Sequence, residues 1–183
     1  MITKNYPNFE STLPEGEGKA NRSDQAIVFL FIGGGHYRPW LEQEARRRGL
    51  DNMLFRPYQP REHLRASLSV PDVHLISLLP SLEGLIVPSK FYGILAAGRP
   101  VLFIGDPQGE IGRLIHQADC GTTVGVGKSQ ALAEQIVRLY QSPALQAQWG
   151  QHARHLLIER FDRKKAIRAW DRLLKRIAKD SCP

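Results

Sequence analysis

The sequence predicts an α/β domain built on a parallel sheet with helices packed on both faces. Three observations lead there. Short apolar runs of strand length alternate with helical stretches through most of the 183 residues, the order that builds βαβ units. The strand-like runs, such as AIVFLFIG (26–33), are apolar at nearly every position, as expected for strands covered on both sides. Glycine and proline punctuate the boundaries, as at Gly49, Gly98 and Pro100.

AIVFLFIG (26–33) reads as a buried strand ending in glycines. Arg38 to Arg48 is a helix with Trp40, Leu41 and Ala45 on one side, stopped by Gly49 in a left-handed cap. NMLFRPY (52–58) is a second strand, Arg61 to Leu68 a short helix and VHLISLL (73–79) a third strand. Pro88 suits the first turn of the helix whose body is FYGILAAG, closed by Gly98, and VLFIG (101–105) follows as a strand. Glu110 to Ala118 is a helix, GTTVGVG (121–127) a short strand with glycine turns, and Ser129 to Tyr140 a helix capped by Ser129. Pro143 to Phe161 and Arg163 to Ala178 close the chain as two basic amphipathic helices.

Residues 1–25 are polar and rich in Gly, Pro and Glu, too poor in apolar surface to offset the entropy of ordering. They read as a flexible lead-in to one folded domain over 26–183. At 42% hydrophobic and 23% charged residues, that domain has ordinary globular composition. The sequence has no apolar run of membrane-span length and no secretory pattern at its start, which predicts a cytoplasmic protein. Cys120 and Cys182 are too few and too far apart for a disulfide framework or a zinc site and read as free thiols. The net charge of +7, concentrated at 46–48 and from Arg154 to Lys179, suits either anionic partners or a solvated helix face. The basic residues lack interleaved aromatics and any recognition motif, which argues against nucleic acid.

In an open parallel sheet, ligands bind outside the carboxyl ends of the strands. Three such ends carry unusual residues. At Ile32-Gly33-Gly34-Gly35-His36 the missing side chains, Gly34 among them, admit a ligand to the backbone. The spacing is not that of the dinucleotide fingerprint, because Tyr37, Arg38 and Pro39 follow, so a nicotinamide-dependent dehydrogenase is disfavoured. The second end is Ser81 to Lys90. A helix start there offers free amides to an anion, Lys90 adds a cation, Ser89 a hydroxyl, and Glu83 accepts hydrogen bonds from sugar hydroxyls. Phosphate donors beside a hydroxyl acceptor describe a nucleotide-sugar site. The third end is Ile104 to Ile111, where Asp106-Pro107 favours a turn, Gly109 lets the next helix begin close to the sheet, and Glu110 stabilises that helix N-terminus.

The run PSKFYGILAAGRPVLFIGD (88–106), with FLFIGGG (29–35) and FRPYQPREHLRASLSVPDVHLI (55–76), resembles the C-terminal, donor-binding domain of retaining GT-B glycosyltransferases of the group 1 type, in particular the bacterial members that build surface polysaccharides. The resemblance spans about residues 26 to 178 and implies a Rossmann-like half of a GT-B fold. It also implies where a nucleoside diphosphate sugar would lie. The base is expected against Pro57, Tyr58 and Gln59, the diphosphate and ribose at Val87, Pro88, Ser89 and Lys90, and the sugar at Glu83, Gly84 and Leu85. The resemblance assigns Glu83 and Lys90 the catalytic positions. Two features depart from the family pattern. Gly93 stands where a ribose-binding glutamate is usual, and Glu83 is offset from the first glutamate position, which aligns near Leu85. The family's N-terminal acceptor domain has no room in this length, and residues 1–25 hold no equivalent of its basic Arg-Lys pair, so the chain alone is expected to be a poor catalyst.

The implied function is transfer of a sugar, with retention, from a nucleoside diphosphate sugar such as a UDP-sugar to a lipid-linked or saccharide acceptor. The alternative is a non-catalytic nucleotide-sugar-binding or partner subunit that completes its cleft with another chain, a reading that an exposed apolar patch beside the Glu83–Lys90 loop would favour. The expected partners are the nucleotide-sugar, an N-terminal acceptor domain or partner chain, and an anionic inner-membrane surface touched peripherally by the basic helices at 154–179. Neither a cofactor nor a metal is expected, since the six histidines are dispersed and the His152/His155 pair reads as a solvated helix face.

Overall fold

The computed structural model describes residues 2–3 and 27–180. Strand β2 (Val28–Ile32) is followed by helix α1 (Arg38–Arg47) and strand β3 (Met53–Arg56), and β2 and β3 pair in parallel with Phe29 opposite Met53 and Ile32 opposite Arg56. The rings of Phe31 and Phe55 stack across that pair at 4.9 Å. A 3-10 turn (Arg61–His63) and helix α2 (Leu64–Ser69) lead to strand β4 (His74–Ser77). After helix α3 (Lys90–Ala97), strand β5 (Val101–Ile104), helix α4 (Glu110–Ala118) and strand β6 (Gly121–Val124) complete a second sheet in the order β4-β5-β6, parallel throughout. Helices α5 (Ser129–Gln141), α6 (Pro143–Leu156) and α7 (Arg163–Asp180) end the chain.

The packing explains why the strand sequences are apolar on successive positions. Val101 and Phe103 of β5 turn to one face, where Phe91, Ile94 and Leu95 of α3, Ile111 and Ile115 of α4, and Leu156 of α6 enclose them. Leu102 turns to the other, against Val73, Val124, Ile136, Leu139 and Trp149. With a side-chain period of two and both faces buried, no position of β5 is left for a polar residue. Ile27 and Phe29 pack on that second cluster, so the β2–β3 sheet shares a core with the β4–β6 sheet.

Several expectations are corrected. Ile2 and Thr3 form a strand, β1 (Ile2–Thr3), that pairs antiparallel with Phe29 and Val28, so the start of the expected flexible segment is an edge strand. The rest of that segment, with Cys182, lies outside the described residues. Trp40 is exposed, and α1 buries only Ala45 of the three residues expected on its inner side. Helix α3 begins at Lys90 rather than Pro88, with Pro88 and Ser89 forming the turn in front of it. Gly98 closes α3 in the left-handed conformation at φ 63°, as expected. Ser129 is the first helical residue of α5 and not its cap, which falls at Lys128. The strand expected over 121–127 stops at Val124, where its pairing with β5 ends at Ile104. The helix expected to run to Phe161 is α-helical only to Leu156, and Leu157–Phe161 widens into a single π turn.

Candidate functional site

The first neighbourhood forms at the carboxyl ends of β2 and β3. Gly33 and Gly34 end β2, and the loop after β3 folds the Tyr58 ring onto their backbone. A Cβ at Gly33 would stand 3.0 Å from Tyr58 Cε1, and one at Gly34 3.2 Å from Cε2, so side chains there would lift the ring away. Gly33 also has φ 112°, a conformation that excludes most other residues. Tyr58 is nevertheless 78% exposed, presenting a preplaced aromatic surface to solvent. Gln59 Nε2 donates to the Pro57 carbonyl at 3.2 Å and shapes the same loop.

Arg38, which the sequence alone does not mark as a site residue, ties this corner together. Its Nη1 donates to the Gly33 carbonyl and, at 2.9 Å, to the Arg56 carbonyl, while Nε pairs with Glu42 Oε1 at 2.7 Å. One guanidinium thus clamps the ends of both strands, a task for which its fixed fork of donors suits it. The signal is present in the sequence as a lone arginine one residue ahead of a helix-starting proline, but which carbonyls it reaches is decided only by strand pairing.

The second neighbourhood follows β4. Pro80–Leu82 forms a 3-10 turn, Gly84 reverses the chain at φ 77°, and the amides of Leu85 and Ile86 both return to the Leu82 carbonyl. Leu85 (77% exposed), Ile86 and Val87 stand out from the surface as a contiguous apolar stretch. Pro88 accepts the Phe91 amide at 2.9 Å, and the fully buried Phe91 ring fixes the start of α3 in the core. The Ser89 side chain makes no capping hydrogen bond, and the Ser89 and Lys90 amides have no partner among the described residues. Lys90 is exposed and unpaired among the described residues. The corner therefore combines free amides, a free hydroxyl and a free ammonium group at the positive end of a helix.

Glu83 sits differently from the other loop residues. Its carboxylate turns under the loop to the N-terminus of α4, where Oε2 accepts the Glu110 amide at 3.3 Å. Oε1 is buried without a hydrogen-bond partner among the described residues. Gly109 makes this possible: a Cβ there would overlap Oε1 and Cδ of Glu83 and lie 2.7 Å from Oε2. The Glu83 carboxylate thus joins Glu110, the exposed acid in the first turn of α4, at the N-terminus of that helix. Asp106 supports the approach by accepting the Gln108 amide at 2.8 Å, an Asx turn of the expected kind. Burial raises the Tyr92 hydroxyl above its ordinary range, and the Glu110 carboxylate adds to that shift.

Elsewhere the titratable groups serve the fold. Burial lowers His74 to about 4, and its Nε2 donates to the Leu68 carbonyl at 2.8 Å. Burial likewise raises the Cys120 thiol to about 12, which leaves it inert as a nucleophile. His152 Nδ1 contacts the Asp119 carbonyl at 2.8 Å and His155 lies 3.5 Å from Glu159, so neither joins a ligand set. A surface groove of about 830 Å³ between α5 and α6, lined by Glu134, Arg138 and Gln148, lies on the helices and includes none of the strand-end residues. No helix among the described residues is long and apolar enough to cross a membrane.

Comparison with known proteins adds a second line of observation. The family described as "Glycosyl transferases group 1" matches residues 17–156. The chain is 33% identical over 103 residues to a putative colanic acid biosynthesis glycosyl transferase, WcaI, of Escherichia coli, covering 56% of this chain and 24% of that protein. It is 28% identical over 113 residues to a probable glycosyltransferase, WbjE, of Pseudomonas aeruginosa, covering 62% and 28% respectively. It therefore spans about a quarter of the length of these relatives. Among solved structures it superposes on sucrose-phosphate synthase of Thermosynechococcus elongatus with a TM-score of 0.68 at 22% identity, covering 83% of this chain and 39% of that one. It superposes on Anabaena HepE in complex with UDP at 0.65 and 18% identity, covering 81% and 41%. These neighbours are GT-B proteins, and the chain has the architecture of one Rossmann-like half of that fold.

Proposed function

The chain belongs to the group 1 glycosyl transferases, and from that premise we propose that it is the donor-binding half of an enzyme that transfers a sugar from a nucleoside diphosphate sugar with retention. The observation that carries the reading is the helix start at Lys90: free Ser89 and Lys90 amides, the Ser89 hydroxyl and an unpaired ammonium group, all at the positive end of α3. An anion of two linked phosphates uses such a set better than any neutral ligand. Tyr58, held over Gly33 and Gly34 with most of its surface open, supplies a stacking platform for the base. UDP bound to the HepE neighbour favours uracil as that base.

In the reaction, the C1–oxygen bond to the diphosphate breaks with its electron pair leaving on the phosphate, and the acceptor hydroxyl attacks from the same face, its proton passing to the departing phosphate oxygen. Lys90 and the α3 amides stabilise the charge as it develops on the leaving group. Gly84 and Leu85 line the sugar side, with Val87 and Pro88 shaping the turn between sugar and phosphate. Glu83 enters this reading as the carboxylate that anchors the loop from beneath, its Oε2 on the Glu110 amide and its Oε1 buried. No metal or cofactor has a role in the scheme, since the amides and Lys90 carry the neutralising charge. By the colanic acid relative, the acceptor belongs to a surface polysaccharide, lipid-linked or free. The acceptor-binding domain comes from elsewhere, either covalently or as a partner chain.

A second reading, a non-catalytic subunit that completes a cleft with another chain, is favoured by one observation: Leu85, Ile86 and Val87 stand exposed beside the candidate phosphate corner. Calorimetric titration of the chain with UDP, GDP and UDP-sugars tests the first. One nucleotide should bind, and Lys90→Ala should weaken it about tenfold or more, the cost of one charge-assisted hydrogen bond of about 1.5–3 kcal/mol. Tyr58→Ala should cost a similar factor through lost stacking. If no nucleotide binds at high concentration, the partner-subunit reading replaces the donor reading.

A further inference from the structure

The parallel ladder between β2 and β3 stops at the Gly33 amide. In such a ladder a residue donates its amide to one carbonyl of the neighbouring strand, and its own carbonyl accepts from the amide two residues beyond. The Gly33 amide reaches the Arg56 carbonyl at 3.0 Å, so the next rung would run from the Tyr58 amide to the Gly33 carbonyl. Arg38 takes that carbonyl instead, and the same Nη1 donates to the Arg56 carbonyl at 2.9 Å. Tyr58 thus leaves the strand direction, and its ring lies across Gly33 and Gly34. Glu42 holds the guanidinium in place through Nε at 2.7 Å, with the Arg38 side chain only 29% exposed.

We infer that Arg38 is a positioning residue for recognition of the nucleobase: by closing the ladder at Arg56, it holds the Tyr58 ring on its glycine floor before the base arrives. The inference rests on the donor-binding reading above and adds to it the group that fixes the stacking platform. A ring free to swing on an exposed loop is ordered only when a base stacks on it, and that ordering is subtracted from affinity; a ring already in place has no such cost. The effect runs through Tyr58 and not through phosphate. The Arg38 charge is matched by Glu42, and Nη1 and Nε are committed to protein acceptors. The geometry also calls for arginine in particular, because a single ammonium cannot hold both carbonyls and keep the Glu42 pair.

The test is a double-mutant cycle on UDP affinity, titrated on the full chain, with Arg38→Met and Tyr58→Ala as its two arms. Arg38→Met should weaken UDP about three- to tenfold when Tyr58 is present, the range for one side chain that binding must now order. Once Tyr58 is alanine, the same change should cost less than about twofold. Arg38→Lys, which keeps one donor and guards against a folding defect in Arg38→Met, should fall between. A second readout needs no ligand. With 3-fluorotyrosine incorporated, the fluorine resonance missing from Tyr58→Phe should move towards the position of the free amino acid in both Arg38 variants, while those of Tyr92 and Tyr140 stay. Equal losses of UDP affinity with and without Tyr58 would overturn the inference by making Arg38 a direct ligand or a general support of the fold, as would an unmoved Tyr58 resonance. If the parent chain binds no nucleotide, the donor reading fails and takes the inference with it; if the parent binds UDP and the cycle shows no coupling, the inference alone fails.

Discussion

Replacing Gly109 by alanine tests the contact on which the second neighbourhood turns. The new Cβ would occupy the space of the Glu83 carboxylate. Because that carboxylate is the end of a flexible side chain, it can swing out, so the substitution should not unfold the protein. What is lost is the anion at the α4 N-terminus and its hydrogen bond to the Glu110 amide. A charge at a helix N-terminus contributes about 0.3–1 kcal/mol, and a hydrogen bond of 3.3 Å at an exposed amide adds less than the usual ~1 kcal/mol. Exposing the unpartnered Oε1 returns part of that. Alanine for glycine at the cap position costs a further ~0.5–1 kcal/mol. Gly109→Ala should therefore destabilise by about 1.5–2 kcal/mol, and Glu83→Ala alone by about 1 kcal/mol. In the Glu83→Ala background, Gly109→Ala should retain only its capping cost, which makes the coupling about 1 kcal/mol. Urea unfolding of the four proteins, with the midpoint shifting at constant slope, measures it. If Gly109→Ala costs the same with and without Glu83, the carboxylate does not hold the helix end.

Stability should also depend on His74 in mild acid. Folding lowers this histidine from 6.5 to about 4 through burial. Above its ordinary value both states are neutral; between there and about 4 only the unfolded chain takes the proton, so stability falls as the pH is lowered, by roughly 3 kcal/mol across the window. His74→Gln, which keeps a donor for the Leu68 carbonyl, should flatten that part of a urea-midpoint profile, and a profile as steep as that of the parent would refute the assignment. Arg38→Met should cost about 2–3 kcal/mol in thermal or urea unfolding by orphaning the Gly33 and Arg56 carbonyls. Arg38→Lys should recover less than half of it, since one ammonium cannot also keep the Glu42 pair. Gly121→Ala should be the most damaging small change, about 3 kcal/mol or more, because its Cβ would meet the Val101 carbonyl, backbone that β5 and β6 pairing holds in place. Loss of soluble expression or a large drop in melting temperature would bear this out, and parent-like melting would contradict it.

The sequence by itself determined the alternation of strands and helices, the burial of VLFI on both faces, the Gly98 stop and the family, because each rests on local signals: apolar run length, period and glycine or proline punctuation. It also brought Gly34, Tyr58, Ser89 and Lys90 into view as candidate site residues, since glycine-rich strand ends and a P-S-K helix start are readable in one dimension. Helix boundaries slipped by a residue or two, as at Pro88 and Ser129, because the residue that opens a helix is set by backbone geometry that residue type only biases. Tertiary structure alone decided the rest. That Tyr58 rests on Gly33 and Gly34 depends on β2 and β3 being neighbours, though far apart along the chain, and Arg38 finds its carbonyls for the same reason. Glu83 reads in the sequence as an acceptor for sugar hydroxyls because none of its neighbours along the chain offers it a partner. Its partner, the Gly109–Glu110 amide corner, lies a full strand–helix unit further on, and only the parallel crossover from β4 to β5 brings the two within reach.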